Sequence, residues 1–315
     1  MSVTLKDIAK RAGVDPTVVS AVLRGSGRVR CSAKTKERIL ALVEEMGYCR
    51  NSVASALRSG KTRLIGIAMP SPYLPFYAAV MTSIQTRLYE AGYTPVFGLW
   101  GGGYLMKEVF SSLFSLKIDG IITWLLPDHP EKLEIPAVYY GHSRRSEAVD
   151  TVLTDVEGTV IQTVKFLKKQ HCRQIGVVAN LNDPRVIQLK ENCCRSGIEI
   201  RPEWMFHYNT SEAEDRMRIA RSYMKLKEKP ELLVFTDDMV CSALSGILKQ
   251  HGKLPELLCF RNSYLLPLIG KKMTAFDMHE EAIVTALVEL LLSRLKNPDL
   301  PPRCRKIKTE LKTIS

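Results

Sequence analysis

The sequence predicts a small α-helical head followed by a larger α/β body of two doubly wound subdomains. The first 47 residues contain three short segments with apolar residues at helical spacing, and from Leu64 onward apolar strands alternate with helices. Such alternation is typical of parallel sheets covered by helices. Residues 1–63 hold 13 Lys and Arg against five Asp and Glu, so they carry +8 of the net charge of +12. Basic charge concentrated in a head indicates a polyanion partner.

Each helix of the head has its own start signal. Thr4-Leu5-Lys6-Asp7 has the pattern of a capping box, and Asp15 precedes a second helix whose first residue is Pro16. Ser32 opens a third helix. Two helices joined by a tight turn at Ala12-Gly13-Val14, with a third closing the core, form a helix-turn-helix arrangement.

The second helix has an unusual composition for a DNA reader. DPTVVSAVL, from Asp15 to Leu23, contains no Arg, Lys, Asn or Gln, the side chains that usually pair with base edges. The residues alone leave two interpretations open: a DNA reader with few contacts, or a structural helix.

The body is predicted to hold two runs of alternating strands and helices. Strands are predicted at 64–70, 94–99, 119–125, 136–140, 151–155, 174–180, 231–235, 257–260 and 305–314, and helices near 76–91, 105–116, 157–169, 185–195, 212–227, 239–251 and 280–296. Two such runs predict similar subdomains with a ligand cleft between them. Residues 48–63 are small, basic and polar, which is typical of a linker that folds on binding.

Other functional classes lack their sequence signals. The chain has no apolar run near the roughly 18 residues of a membrane span, and its first residues lack a secretory core, so we expect a cytoplasmic protein with no membrane partner. The eight cysteines show no regular spacing, so we expect reduced thiols and no disulfides. The alternative is a redox or metal role for the adjacent pair Cys193–Cys194. The motifs GxGxxG, GxxxxGK[ST], GxSxG and HExxH are absent, so we expect no enzyme, cofactor or metal.

Four motifs in order carry a resemblance to a known family. VTLKDIAKRAGVDPTVVSAVL, ERILALVEEMGY, NSVASALRSGKT and LIGIAMP together resemble the lactose-repressor/galactose-repressor family of transcription regulators. The resemblance spans essentially the whole chain and is most specific in the first 65 residues. It implies a DNA-binding domain at 1–47, a hinge helix at 48–63, and a periplasmic-binding-protein-like effector and dimerisation domain at 64–315. It also implies a homodimer, or a tetramer, that acts as a repressor on a near-palindromic double-stranded DNA operator.

The resemblance implies which residues meet DNA. It places the second helix in the major groove with Pro16, Thr17 and Ala21 at base-reading positions, where many relatives carry a long side chain instead of Ala21. An alanine offers only apolar contact, for instance to a thymine methyl. The implied DNA-binding set is Thr4, Pro16, Thr17, Val18, Ser20, Ala21, Arg24, Asn51, Ala54 and Leu57, with Ser20 and Arg24 as phosphate contacts.

The linker is implied to be a second reading site. The resemblance makes Leu57 an apolar wedge that enters the minor groove at the operator centre, which unstacks a base step in return for more contact. Asn51 and Ala54 match the family pattern, whereas the usual proline before this Asn is Arg50 here. The alternative for Leu57 is a linker residue that packs on the body.

The resemblance implies an effector site in the cleft. The residues at ligand-binding positions are Tyr73, Phe76, Trp124, Arg185 and Asp237, and for the aromatic ones a core position is the alternative. The family's Gly-Phe-Asp is Cys259-Phe260-Arg261 here, which replaces an acid by a cation. That exchange favours an anionic effector such as a phosphorylated sugar or a sugar acid.

Two alternatives remain beside a small-molecule-controlled repressor. A regulator of the same family that answers to a protein partner is compatible with the altered cleft. A solute-binding protein shares the body fold, but the basic head and the lack of a secretory segment disfavour it.

Overall fold

The chain divides into two compact units, Met1–Thr62 and Arg63–Ser315. The computed structural model describes residues 3–23, 31–48, 60–100, 105–142, 144–180, 183–208, 213–252 and 254–315. Within these ranges no helix combines the length and apolar character needed to cross a bilayer.

In its described residues the first unit, which we call the head, has three helices: α1 (Leu5–Ala12), α2 (Pro16–Leu23) and α3 (Ala33–Glu45). Each contributes a fully buried side chain to one core, and these are Ile8, Val19 and Ile39. Gly13 takes a φ of +63° between α1 and α2, a left-handed conformation that favours glycine, so the tight turn depends on it. The three predicted helices and the turn are confirmed.

The second unit, the body, contains two sheets and the helices that cover them. Its strands are β1 (Leu64–Pro70), β2 (Thr94–Trp100), β3 (Gly120–Thr123), β4 (Ala137–Gly141), β5 (Asp150–Thr154), β6 (Ile175–Ala179), β7 (Met205–His207), β8 (Leu232–Phe235), β9 (Glu256–Cys259), β10 (Met273–Asp277), β11 (Cys304–Ile307) and β12 (Glu310–Ile314). Its helices are α4 (Pro75–Glu90), α5 (Met106–Ser115), α6 (Val156–Lys169), α7 (Pro184–Arg195), α8 (Ala213–Met224), α9 (Asp238–Gln250) and α10 (Glu280–Lys296).

Within the described part of the body, each sheet has six strands and organises one subdomain. The first has the order β11-β5-β4-β3-β1-β2 and the second β12-β10-β9-β8-β6-β7. The described strand pairs are parallel except β10 with β12. Helix α10 packs with α4 on the first sheet, and α6 packs in the core of the second. The predicted pair of doubly wound subdomains is confirmed.

The C-terminal region differs from the sequence prediction. The single strand predicted at 305–314 is two strands: β11 pairs with β5 in the first sheet, and β12 pairs with β10 in the second. Its alternating pattern continues across Lys308 and Thr309, so the pattern alone hides the change of sheet. Strands β7 and β10 were not predicted, because each is short and has few consecutive apolar residues.

The chain passes between the subdomains after β5, after β10 and between β11 and β12. The first and third crossings are bonded to each other. Lys306 Nζ lies 2.9 Å from Asp155 Oδ1, and the hydroxyls of Thr159 and Thr309 are 2.8 Å apart. The two subdomains are therefore joined by three chain crossings, two of which are bonded to each other.

Candidate DNA-binding helix and effector cleft

The start of α2 is organised by Asp15. Its Oδ1 accepts hydrogen bonds from the backbone N–H of Thr17 at 2.8 Å and from the Thr17 hydroxyl at 2.6 Å. These hydrogen bonds lower the pKa of Asp15 below its ordinary value. Thr17 is exposed, and because its hydroxyl proton is already donated, its methyl group and an oxygen lone pair remain available to a base.

Other predicted DNA contacts are distributed over α1 and α2. Thr4 is exposed and caps α1, and Pro16, Val18 and Ser20 are partly exposed. Ala21 corrects the prediction of an exposed reading position, since it is 2% exposed and its methyl group is covered. The physical reason is composition: half of α2 is valine or leucine, so the helix buries more of its circumference than an ordinary amphipathic helix.

Four further predicted contacts lie outside the described residues. These are Arg24, Asn51, Ala54 and Leu57. Their roles in phosphate binding and in the hinge stay predictions.

The carboxyl ends of strands from both sheets bring a set of polar and aromatic side chains together. We call this set the cleft cluster. It consists of Phe76, Tyr77, Trp124, Tyr140, His142, Asp183, Arg185, Asp237 and Arg261. The first five belong to the subdomain of the first sheet and the last four to that of the second.

The part of the cleft cluster that belongs to the first subdomain is mainly aromatic. The ring of Tyr140 lies 5.3 Å from Trp124, 5.5 Å from His142 and 6.4 Å from Phe76 between centroids. The Tyr140 hydroxyl is 2.7 Å from Thr154 Oγ1, and burial raises its pKa to about 12. The Tyr140 phenol therefore stays neutral, and its ring packs against each of these three aromatic side chains.

The Arg185 guanidinium makes most of its hydrogen bonds to Asp183. Its Nε lies 3.0 Å from Asp183 Oδ1 and its Nη2 lies 2.6 Å from Oδ2, and Nη2 also reaches the Thr236 carbonyl at 3.4 Å. Burial opposes the charge on Asp183, but the adjacent guanidinium lowers the pKa of this carboxyl to about 2. Arg185 is 3% exposed, and its Nη1 is buried without a hydrogen-bond partner.

Arg261 reaches from the second subdomain onto rings of the first. Its guanidinium carbon lies 4.9 Å from the Phe76 ring centre and 5.5 Å from that of Tyr77, both in the range of a cation–π contact. Its nearest acid is Asp237, with 3.8 Å between Nη1 and Oδ2. That distance is too long for a hydrogen bond, so Arg261 has a counter-charge but no close acceptor there.

Asp237 has a structural partner of its own. It caps α9, with its Oδ1 accepting from the Val240 N–H at 3.1 Å. Burial, followed by the neighbouring Asp238 charge, raises the pKa of Asp237 above its ordinary value, against the opposing pull of Arg261.

Two aromatic nitrogens in the cluster lack partners. Trp124 Nε1 and His142 Nδ1 are both buried with no hydrogen bond. Desolvation and the charges of Arg185 and Arg261 lower the pKa of His142 to about 3, so its imidazole is neutral at physiological pH.

Comparison with known proteins agrees with both units. Residues 4–51 match the family described as bacterial regulatory proteins, lacI family, and residues 164–313 match the periplasmic binding protein-like domain. The chain thus combines a DNA-binding domain of the lacI family type with a periplasmic-binding-protein-like domain. Its helical head carries the DNA-binding fold of that family, and its body carries the effector-binding fold.

Individual LacI-family relatives align along nearly the full length. The HTH-type transcriptional repressor PurR of Photobacterium profundum is 24% identical over 326 residues, which covers 98% of this chain and 96% of PurR. The lac repressor dimer bound to operator and the anti-inducer ONPF is 18% identical, with a TM-score of 0.81 and coverage of 99% and 98%. The transcriptional regulator CelR–cellobiose complex is 21% identical, with a TM-score of 0.69 and 98% of each chain covered.

The structure brings most of the predicted LacI-type effector residues into the cleft cluster. Phe76, Trp124, Arg185 and Asp237 belong to it, whereas Tyr73 lies in the loop before α4 and is 56% exposed. Tyr73 is thus not enclosed with the cluster, and its stacking on a ligand stays a prediction.

Sequence reasoning missed several members of the cluster. Tyr77, Tyr140, His142 and Asp183 were not predicted as site residues. The sequence signal for His142 and Asp183 is their place: each follows the carboxyl end of a parallel strand, where ligand sites form in such folds.

Proposed function

We propose that this chain is a transcription repressor that binds a near-palindromic DNA operator as a homodimer, under the control of a small molecule in the cleft. The proposal is carried by one observation: a basic three-helix head presents an exposed Thr17 at the start of α2, where base contacts are made in this fold. The match of residues 4–51 to a family of bacterial regulatory proteins supports it.

DNA binding by this head has two components, affinity for the phosphate backbone and preference for a base sequence. The basic side chains of residues 1–63 provide affinity for phosphates that falls as salt rises. Sequence preference comes from few contacts, with Thr17 in the major groove and Leu57 in the minor groove. A two-fold dimer places two such heads on successive half-sites, so the operator mirrors that symmetry. A tetramer would be a pair of these dimers.

The contacts of the cleft cluster support control by a small molecule. Arg261 lies on Phe76 and Tyr77 of the opposite subdomain, and His142 feels the charge of Arg185 across the same gap. A ligand that enters must change these contacts, so it favours one subdomain arrangement over the other. The change alters DNA affinity through residues 48–63, in the cytoplasm and without a catalytic step.

A second candidate function is supported by the same arginine. Because Arg261 of the second subdomain already contacts Phe76 and Tyr77 of the first, the two subdomains share contacts that do not need a ligand. A regulator whose subdomains are held together in this way would answer to a protein partner instead. Such a protein would show no stabilisation by small molecules.

Selection of binding sites tests the DNA-binding proposal. The full chain is incubated with random-sequence duplexes at about 150 mM salt, where phosphate contacts alone bind weakly, and bound DNA is sequenced. We expect enrichment of one motif with two inverted half-sites. A pool with no enriched motif contradicts the proposal, and a motif without inverted symmetry contradicts the dimer.

A further inference from the structure

Arg261 is a buried cation that lacks hydrogen bonds. It is 5% exposed, its Nε is buried without a partner, and its guanidinium makes no hydrogen bond to the described part of the chain. A buried charge without such partners costs several kcal/mol, and buried polar groups in folded proteins are nearly always paired. The position therefore calls for an acceptor that the described residues do not supply.

Two further donors in the cleft cluster have the same need. Arg185 Nη1 and Trp124 Nε1 are buried without partners, on side chains that are 3% and 7% exposed. Guanidinium and indole nitrogens donate and never accept hydrogen bonds. The complementary group must therefore present acceptors, and an anionic acceptor also balances the buried charge of Arg261, which a hydroxyl does not.

The acids of the cluster do not meet this need. Asp183 is held by Arg185 through both oxygens, and Asp237 uses Oδ1 to cap α9. Burial and the neighbouring Asp238 raise the pKa of Asp237, which weakens it as a counter-ion for Arg261. The nearest oxygen of Asp237 stands 3.8 Å from the Arg261 guanidinium, so a better-placed anion can compete with it.

We propose that the cleft binds its small molecule through an anionic group, a carboxylate or a phosphate, that accepts hydrogen bonds from Arg261 and Arg185. The Trp124 N–H completes the donor set. This inference rests on the proposed effector function of the cleft. It adds the chemical class of the ligand and makes Arg261 the residue that selects for charge.

Thermal unfolding of the full chain tests the inference with simple probes. Melting temperatures are measured in inorganic phosphate, in acetate and in chloride at matched ionic strength. At about ten times its dissociation constant, a bound anion raises Tm by about 3 °C for a domain of this size. No rise above chloride with either phosphate or acetate overturns the inference.

Larger probes separate the two anion classes. D-Gluconate, D-glucose 6-phosphate and neutral D-glucose share a carbon skeleton and differ in the acidic group. A shift with gluconate alone assigns a carboxylate, and a shift with glucose 6-phosphate alone assigns a phosphate. A shift with neutral glucose equal to both overturns the requirement for charge.

A pair of arginine variants locates the site. Arg261→Met keeps the length and removes the charge, and we expect it to lose the anion-dependent shift. Arg201→Met is the matched control, because Arg201 also stacks on a ring, that of Trp204 at 4.4 Å, but lies at the surface of the same subdomain. If Arg261→Met retains the shift, the inference is overturned. Arg261→Gln, which keeps donors, replaces it if the methionine variant does not fold.

Operator binding, measured in the same samples, distinguishes failure of the anionic-ligand inference from failure of the proposed repressor function. A chain that binds a selected operator but shows no anion-specific stabilisation contradicts only the anionic ligand. A chain that is stabilised by anions but selects no DNA site contradicts the proposed repressor function and leaves the anion site standing.

Discussion

Arg303 holds a carboxylate of Asp150 that has no exposed surface. Arg303 Nη2 lies 2.9 Å from Asp150 Oδ2, and the Arg303 backbone N–H donates to Oδ1 at 2.7 Å. Arg294 of α10 donates to the same Oδ1 from Nη2 at 2.9 Å. Two arginines that are distant in sequence from Asp150 thus tie the first residue of β5 to α10 and to the residue just before β11.

Asp150→Asn should destabilise the body strongly. The change removes the shared counter-charge from Arg294, whose side chain is only 11% exposed, and breaking a buried pair on one side costs about 3–5 kcal/mol. Urea unfolding measures the loss. Glu289→Gln is the control, because its ion pair with Arg305 is exposed and is expected to contribute less than about 1 kcal/mol. Equal losses in both variants would show that burial of Asp150 does not matter.

Thr17→Val should reduce binding to the selected operator about tenfold and leave binding to random DNA unchanged. The methyl group stays, whereas the hydrogen bond to Asp15 and the hydroxyl oxygen used in the proposed base contact are lost. Competition binding measures both affinities. Thr35→Val is the matched control, since Thr35 makes the same kind of contact with Ser32 at the start of α3. Similar losses in the two variants would indicate a capping effect instead of a base contact.

Leu57→Ala should weaken operator binding more than non-specific binding. A minor-groove wedge acts only where the DNA is bent at a defined step, so its loss removes specific affinity first. Titration of operator and random duplexes at one salt concentration gives the ratio. Val53→Ala in the same segment serves as the control. An unchanged ratio for Leu57→Ala argues that this leucine packs on protein.

Stability should fall as the pH drops from about 6.5 toward 3, in part through His142. Its pKa is about 3 in the folded chain against an ordinary 6.5, because burial and the two cleft arginines disfavour its charge. In this window the unfolded chain binds a proton at this position and the folded chain does not, so protonation favours unfolding.

A histidine variant isolates that contribution. In His142→Gln the decline of unfolding free energy between pH 6.5 and 4 should be shallower than in the unaltered chain, as followed by urea titrations at each pH. His129→Gln is the control, because His129 is exposed and paired only with Glu131. Parallel curves for the unaltered chain and His142→Gln would be the contrary result.

The periodic elements were predictable from sequence because burial imposes a period on them. The three head helices and the long α10 repeat apolar residues at helical spacing, and the strand Leu64–Pro70 is almost continuously apolar. Strand β10 escaped prediction, since only its pairing with β9 and β12 distinguishes Met273–Asp277 from a loop.

The site was less predictable because it depends on contacts distant in sequence. Arg185 and Asp237 could be placed by resemblance, but nothing local to Arg261 indicates that it lies on Phe76. Ala21 shows the same limit in the head: the valine-rich composition of α2 favours broad burial, but which of its residues are covered depends on tertiary neighbours. A short helix rich in valine leaves its exposed face undetermined until the fold is known.

The arrangement of β11 and β12 has a consequence for the order in which the protein acquires its properties. A chain is made from its N-terminus, and domains fold as their residues become available. The head core is complete once α3 has been made, whereas both sheets of the body take an edge strand from residues 304–314. During synthesis there is thus an interval in which the helical head can already be folded while both sheets of the body still lack an edge strand. A chain cut short before residue 304 would keep the head core and lose the last strand of each subdomain.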